Sequence, residues 1–280
     1  MIDEKKHNEL RAKYNPDGSD LRKAQMVMLD LLVFLDKICS NNNLTYWLDG
    51  GTLLGAARHG GFIPWDDDVD VCMPREDAKK LKKIMGNSVF EGHIVLQNQS
   101  TDWNYLSCGW MKLRDLNTLQ IFENNVEDDN IHKLFKFKGF QVDIFEVEEG
   151  LEEHGLRKWI KLFPSIFACY FTDGIAKRTN SVILRCIANF NARILNNTII
   201  PFGRLFKNDN SIVTYAVGIP FFERQQKENI YPLKKISFEN HSFNCPSNVN
   251  DYLKNLYVDW EQIPKEEEIK THDVILKFLI

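Results

Sequence analysis

The sequence predicts an α/β or α+β fold, because strand-like and helix-like periodicities interleave along its 280 residues. Three observations carry this. Leu21, Ala24, Met28, Leu31, Leu32, Leu35 and Ile38 recur mostly at three- and four-residue steps, the pattern of an amphipathic helix. DVDVCM (Asp68–Met73) and FQVDIF (Phe140–Phe145) instead alternate acid with apolar residues, the period of a strand with one buried face. Between these patterns, Gly50-Gly51 separates a strand-like LTYWL (Leu44–Leu48) from a helix-like run beginning at Thr52.

Taken in order, NPDGSD (Asn15–Asp20) reads as a turn leading into helix-capping residues, and SNNN (Ser40–Asn43) stops the helix it opens. Thr52–Arg58 is expected to form one or two helical turns, followed by a HGGFIP loop (His59–Pro64). Pro74 ends the Asp68–Met73 strand, and a helix is expected over Arg75–Met85. SCGWMKLRD (Ser107–Asp115) and TLQIF (Thr118–Phe122) suggest a hairpin. Within Phe140–Phe145, Val142 and Ile144 point one way and Asp143 the other. From Trp159 to Phe206 the chain is apolar but interrupted by basic residues, which suggests a pair of helices on the core or a membrane-surface segment. The expected division is an N-terminal extension over 1–20, a core over 21–150, a mostly helical insertion over 151–230 and a closing segment over 231–280.

Composition narrows the function. A chain with 44% hydrophobic and 26% charged residues can bury a core, and its net charge of −4 gives no reason to expect a nucleic-acid partner. The start, MIDEKKHNEL, lacks the apolar region of a secretory signal, and no uncharged run is long enough to span a bilayer. The six cysteines form no CxxC pair, which argues against zinc and redox dithiols. A cytoplasmic location, with contact at the inner face of the membrane, is the expectation.

The chemistry is concentrated in WLDGGTLLGAARHGGFIPWDDDVDV (Trp47–Val71). On a strand, Asp68 and Asp70 would share a face while Val69 and Val71 anchor the other. Carboxylates held side by side repel, and a divalent cation relieves the repulsion; Mg2+ suits a site of one or two carboxylates plus substrate phosphates. An EF-hand loop is excluded, since Val71 stands where glycine is required and Pro74 follows. A solvated acidic turn, or an ion pair with Arg58 or Arg75, remains an alternative. Upstream, Gly50, Gly51 and Thr52 stand where a strand gives way to a helix, a place where bare backbone N–H groups hold phosphate oxygens. Asp143 is a candidate third acid.

LDGGTLLGAARHGGFIPWDDDVDV closely resembles the LicD family of phosphocholine transferases, which is related to fukutin and the fukutin-related protein. The segment Leu21–Gly51, MKLRDLNT (Met111–Thr118), GFQVDIFEV (Gly139–Val147) and PSNVNDYLKNLYVDWEQIP (Pro246–Pro264) resemble further family motifs, with THD (Thr271–Asp273) as the trailing histidine motif. Two positions depart from it: Tyr257-Val258 stands where the family usually has Tyr-Gly, and Glu146 stands where proline often follows DIF.

The resemblance implies a nucleotidyltransferase fold like that of polymerase beta, a small mixed sheet flanked by helices. It implies transfer of a phosphoalkyl group from a CDP-activated donor, such as CDP-choline, to a sugar hydroxyl, with CMP as the other product. The acceptor would be a glycan or lipid-linked glycan of lipopolysaccharide, teichoic acid or another surface polymer. In that reading Asp68, Asp70 and Asp143 are catalytic and hold Mg2+ or Mn2+. Gly50, Gly51 and Thr52 hold donor phosphates, and Lys112 and Arg114 balance charge on the leaving CMP. Arg58, Asp49, Trp65 and Asp66 are further substrate candidates. Trp47, Trp65, Trp103, Tyr105 and Trp110 are candidate walls of a choline pocket, since quaternary ammonium groups bind aromatic faces. Ribitol or glycerol phosphate transfer, transfer of the nucleotide itself, and nucleotide binding without turnover are the competing functions.

Overall fold

The computed structural model describes residues 3–105, 107, 109–122, 134–150, 181–194, 198, 211–216, 219, 221, 223–269 and 274–279. The expected THD motif and most of the 151–206 stretch lie outside them.

Helix α1 (Glu4–Tyr14) opens on Asp3, whose side chain accepts from the Lys6 N–H. Helix α2 (Asp20–Asn41) opens on Ser19, whose hydroxyl accepts from the Arg22 N–H. Each cap satisfies one of the donors that a helix start leaves without an intrahelical partner. The apolar stripe read from the sequence is the buried face of α2: Ala24, Met28, Leu31, Leu32 and Leu35 are all inaccessible or nearly so.

The main sheet has strand order β1-β2-β6-β4-β3. These are β1 (Trp47–Leu48), β2 (Asp70–Pro74), β3 (Ile94–Gln97), β4 (Trp110–Asp115) and β6 (Gln141–Glu149). β2 runs parallel to the central β6, and β1, β4 and β3 are joined by antiparallel pairings, so the sheet is mixed. β7 (Ile212–Tyr215) continues along β6 past its pairing with β4, from Val147 to Glu149, and carries β8 (Arg224–Gln226). Helix α3 (Gly50–His59) follows β1, and α4 (Arg75–Met85) follows β2 with the predicted boundaries. The architecture is therefore mixed α+β, with helices packed on a curled sheet.

The expected hairpin between Ser107–Asp115 and Thr118–Phe122 does not form. β4 pairs with β3 and β6, while β5 (Thr118–Phe122) pairs with the last strand, β11 (Val274–Phe278). Asp115 and the Leu116-Asn117 turn end one sheet and begin the next, since Asp115 N–H donates to Phe140 and Leu116 N–H to His93. A short gap between two strands suggests a hairpin, but here each strand finds its partner far away in sequence.

The Asp68–Met73 strand is also shifted: regular pairing runs over Asp70–Pro74, so Asp68 stands in the loop before it. The alternation of burial nonetheless begins at Val69, which is inaccessible and accepts from the Asp143 N–H at 2.7 Å.

After these elements come α5 (Val182–Ile194), α6 (Lys227–Ile230), the hairpin of β9 (Lys234–Phe238) and β10 (His241–Cys245), and α7 (Val249–Leu256). β9 and β10 turn at Glu239 and Asn240, both in the left-handed region with φ 48° and 63°. Glu146 occupies the position where the family's motif often has proline. Its backbone N–H donates to Gly109 at 2.7 Å, a bond that proline could not make. Its carboxylate is buried against Lys82 of α4, with Arg75 at 3.8 Å.

Candidate active site

Asp70 begins β2, and Asp143 lies two residues into β6; the two are direct partners in the parallel register. Because β6 is central and has neighbours on both edges, Asp143 is not an isolated acid at a sheet edge. Lys112 of β4 faces it from the other side, also in register, and its Nζ donates to Asp143 Oδ1 at 2.5 Å. Gln141 donates Nε2–H to the other carboxylate oxygen at 3.2 Å. The Lys112 ammonium also lies 4.7 Å from the centroid of the Trp110 ring. Lys112 is only 8% exposed, and burial pushes its pKa down while the Asp143 charge pushes it back up.

The first turn of α3 closes the other side. Gly50 has φ +49°, and a Cβ there would stand 2.9 Å from Asp70 Oδ2. A Cβ on Gly51 would stand 2.8 Å from Asp66 Oδ2. The paired glycines therefore let two carboxylates rest against a helix N-terminus, where the aligned backbone dipoles favour negative charge. Thr52 is buried, and its hydroxyl accepts from the Asp70 N–H at 2.8 Å. In this structure its role is to fix the start of β2 beside α3.

Asp66, Asp67 and Asp68 form a group whose carboxylate oxygens lie within 4.8 Å of one another. Burial raises the pKa of Asp70 well above the ordinary carboxylate value, and the charges of Asp68, Asp143, Asp49 and Asp66 raise it further. Asp66 is raised in the same way, by burial and then by Asp68 and Asp67. Acids crowded to this degree suit a hard divalent cation with oxygen ligands. This loop group shares only Asp68 with the predicted set of Asp68, Asp70 and Asp143; Asp70 and Asp143 face each other across the β2–β6 register beside it.

Several predicted substrate residues are occupied otherwise. Asp49 is 1% exposed and accepts from Tyr215 Oη at 2.6 Å, Tyr252 Oη at 2.8 Å and Cys72 Sγ at 3.0 Å. Arg58 is buried and donates to the carbonyls of Trp260 and Gln262, tying the chain after α7 to α3. Its Nε also donates to His59, whose pKa is pushed down to about 3 by burial and by the Arg58 charge. Arg114 is inaccessible and donates to Gln97 and to the Gly139 carbonyl. It braces β3, β4 and the entry to β6 from inside the sheet, while Lys112, two residues back, reaches Asp143.

The aromatic residues do not form one cluster. Trp47 is core and donates to Tyr252, Tyr105 is buried against Phe135, and Trp103 lies under Arg193. Trp65 packs edge-on against Tyr14 and His59, and Trp110 lies beside Lys112.

Two elements of the site were not found by sequence reasoning. Tyr257, just past α7, has its pKa raised by burial and then by the charges of Asp49, Asp70, Asp66 and Asp68, which places its phenol in the field of the acids. The second is a clamp on the acidic loop. Glu239, at the β9–β10 turn, accepts from Arg22 at 3.0 and 2.7 Å and from the Phe62 N–H at 3.1 Å. Gln25, one turn along α2, donates to the Asp66 carbonyl at 2.8 Å. Tyr257 falls in the Pro246–Pro264 segment and Arg22 and Gln25 in Leu21–Gly51, but nothing local aims them at the acidic loop; both elements depend on segments far apart in the chain. Arg22→Ala should lower stability by about 2 kcal/mol, because a largely buried carboxylate loses its cation. Urea unfolding of Arg22→Ala, Glu239→Gln and the double variant should show strongly non-additive losses; additive losses would mean that the pair does not act as a clamp.

The site therefore joins carboxylates from two neighbouring strands and a loop to a glycine-opened helix start. Residues 43–160 match the family model described as LicD/FKTN/FKRP, nucleotidyltransferase domain. Across nearly its whole length it is similar to the lipopolysaccharide cholinephosphotransferase LicD of Haemophilus influenzae, at 23% identity over 261 residues, covering 91% of this chain and 96% of that one. It is 56% identical over 80 residues to the ribitol 5-phosphate transferase FKRP of Mus musculus, covering 29% of this chain and 15% of that protein. An uncharacterized protein of Rickettsia prowazekii is 41% identical over 83 residues, 30% of each chain. Against these last two the chain spans less than a third of the relative's length. Among the described residues no helix is long and apolar enough to cross a membrane.

Proposed function

We propose that this protein is a metal-dependent phosphotransferase that moves phosphocholine from CDP-choline to a hydroxyl of a surface glycan or lipid-linked glycan and releases CMP. The observation that carries the reading is the in-register pairing of Asp70 with Asp143 beside the first turn of α3, with Asp66–Asp68 adjoining. Asp68, Asp70 and Asp143 would hold Mg2+ or Mn2+, with Asp66 and Asp67 beside them. When bound, such an ion supplies positive charge to the diphosphate oxygens, the main requirement of phosphoryl transfer. The backbone N–H groups at the α3 N-terminus would face donor phosphate. Lys112 would orient Asp143 through their ion pair, and Asp143 would complete the metal site or take the proton of the attacking hydroxyl. The polymerase beta-like fold and a working position at the cytoplasmic face of the membrane belong to the same proposal.

Similarity along nearly the whole of LicD favours choline as the transferred alcohol, and the higher local identity to FKRP favours ribitol phosphate as the second reading. Trp65 and Trp110 are the partly buried aromatics left to meet a quaternary ammonium. The test is CMP release from CDP-choline and, separately, CDP-ribitol, with Mg2+ and a crude mixture of bacterial surface glycans, beside an EDTA control. Metal- and acceptor-dependent CMP from CDP-choline is the expected result; preference for CDP-ribitol reassigns the donor. Binding of either donor without turnover over a range of acceptors would make the protein a nucleotide-binding module. Trp65→Ala should raise the apparent KM for CDP-choline several-fold with kcat nearly unchanged; an unaltered KM removes Trp65 from the donor pocket.

A further inference from the structure

Helix α5 is attached to the domain along one side. Asn189, 4% exposed, donates to the Trp103 carbonyl at 2.5 Å. Arg193, one turn later, donates to the Gln99 carbonyl and lies 4.3 Å from the centroid of the Trp103 ring. At roughly 100° per residue, a second stripe runs about 110° around the helix from this attachment. It consists of Ile183, Ile187, Phe190 and Ile194, at steps of four, three and four, and these are 72%, 50%, 64% and 41% exposed. Val182 and Leu184, flanking it in the first turn, are also exposed. A regular row of large apolar side chains facing water is costly, and an apolar face of this size marks an interaction surface.

Charge indicates what covers it. Residues 154–208, the stretch of sequence that contains α5, hold nine Lys and Arg and a single acid, Asp173. The remainder of the chain holds 26 basic and 38 acidic residues. A strongly basic stretch within an acidic protein, built around a one-sided apolar helix, has the chemistry of an anionic lipid surface, where apolar side chains enter the acyl boundary and cations meet headgroups. A second copy of the chain would bring an equally basic stretch against the first, and like charges would oppose that pairing. We infer that α5 is an interfacial helix that lays its Ile183–Ile194 stripe in the surface of an anionic bilayer. This inference does not depend on the transfer reaction, and its test reads binding alone.

The full-length protein is sedimented with vesicles of pure phosphatidylcholine, and with vesicles in which roughly a third of the lipid is phosphatidylglycerol. The wild type should sediment with the anionic vesicles, far less with the neutral ones, and less as salt rises. Ile187→Glu/Phe190→Glu should weaken anionic-vesicle binding roughly tenfold or more. Because both side chains are exposed, its thermal unfolding should match the wild type. Lys79→Glu/Lys80→Glu, on the exposed face of α4, serves as the charge control and should bind as the wild type does. Equal binding by the wild type and the α5 variant, or no binding of the wild type to anionic vesicles, overturns the proposal. So does a wild-type dimer in sedimentation velocity that becomes monomeric in the α5 variant, which would assign the stripe to a second copy.

Discussion

Asp70→Asn is expected to lower metal-dependent CMP release roughly a thousandfold or more and, in the same protein, to raise thermal stability. The two effects share one cause. Asp70 sits on the rigid start of β2, level with Asp143 and against the first turn of α3, where burial and then the charges of Asp68, Asp143, Asp49 and Asp66 raise its pKa. Folding without a cation forces this charge into a crowd of like charges, so a neutral isostere should stabilise the metal-free protein by about 1–2 kcal/mol. Saturating Mg2+ should stabilise the wild type and should do little for the variant. The sign with pH follows. A carboxyl whose folded pKa lies above its ordinary value of 3.8 binds its proton more tightly when folded, so its destabilising effect is present at neutral pH and fades as pH falls through the folded pKa. The stability advantage of Asp70→Asn should therefore be largest near neutrality and shrink on acidification. A variant that is both inactive and less stable than the wild type at pH 7 without metal would show Asp70 to be a structural acid.

Asp49→Asn should act in the opposite direction, with a loss of about 2–4 kcal/mol in urea unfolding. Asp49 accepts three hydrogen bonds, from Tyr215, Tyr252 and Cys72, while buried. Burial, followed by the Asp49 charge, raises the pKa of all three partners, so each keeps its proton and remains a donor. The amide of asparagine offers one acceptor oxygen where the carboxylate offers two, and it points an N–H group at a donor. The network ties β1 and β2 to β7 and α7, so its loss should loosen the join between the catalytic half and the C-terminal segment. Turnover per folded molecule should fall less than tenfold. Unchanged stability with a large rise in donor KM would instead return Asp49 to the substrate site that its position in the motif suggested.

These two aspartates mark the limit of what local sequence can show. Both lie in one acidic, glycine-rich motif, and nothing in the spacing separates them. The tertiary structure does, because Asp49 points to tyrosines more than 160 residues away while Asp70 points to another acid. Much else was legible. The helix over Asp20–Asn41 follows from its apolar stripe and Ser19 cap, α4 from its start after Pro74, and the alternating burial at Val69–Val71 from period two, whereas the central β6 is buried on both faces from Gln141 to Glu148. Local patterns persist because burial of one face is a local constraint.

Strand pairing was not legible, and the expected β4–β5 hairpin failed for that reason: alternation identifies a strand but carries no address for its partner. The same holds for the neighbours of charged groups. Lys112 and Arg114 stand two apart on one strand face, and register alone gives Asp143 to the first and buries the second among Gln97, Gln120 and Gly139. Arg58, a substrate candidate in the sequence, is an internal tie to Trp260 and Gln262. By itself the sequence determined the helices over Asp20–Asn41 and Arg75–Met85, the strands around Val71 and Val142, and the concentration of acids beside a glycine-opened helix start. Only the tertiary structure decided which carboxylates face one another and which are held by hydrogen-bond donors, because electrostatic energy depends on distances that the chain sets through long-range packing.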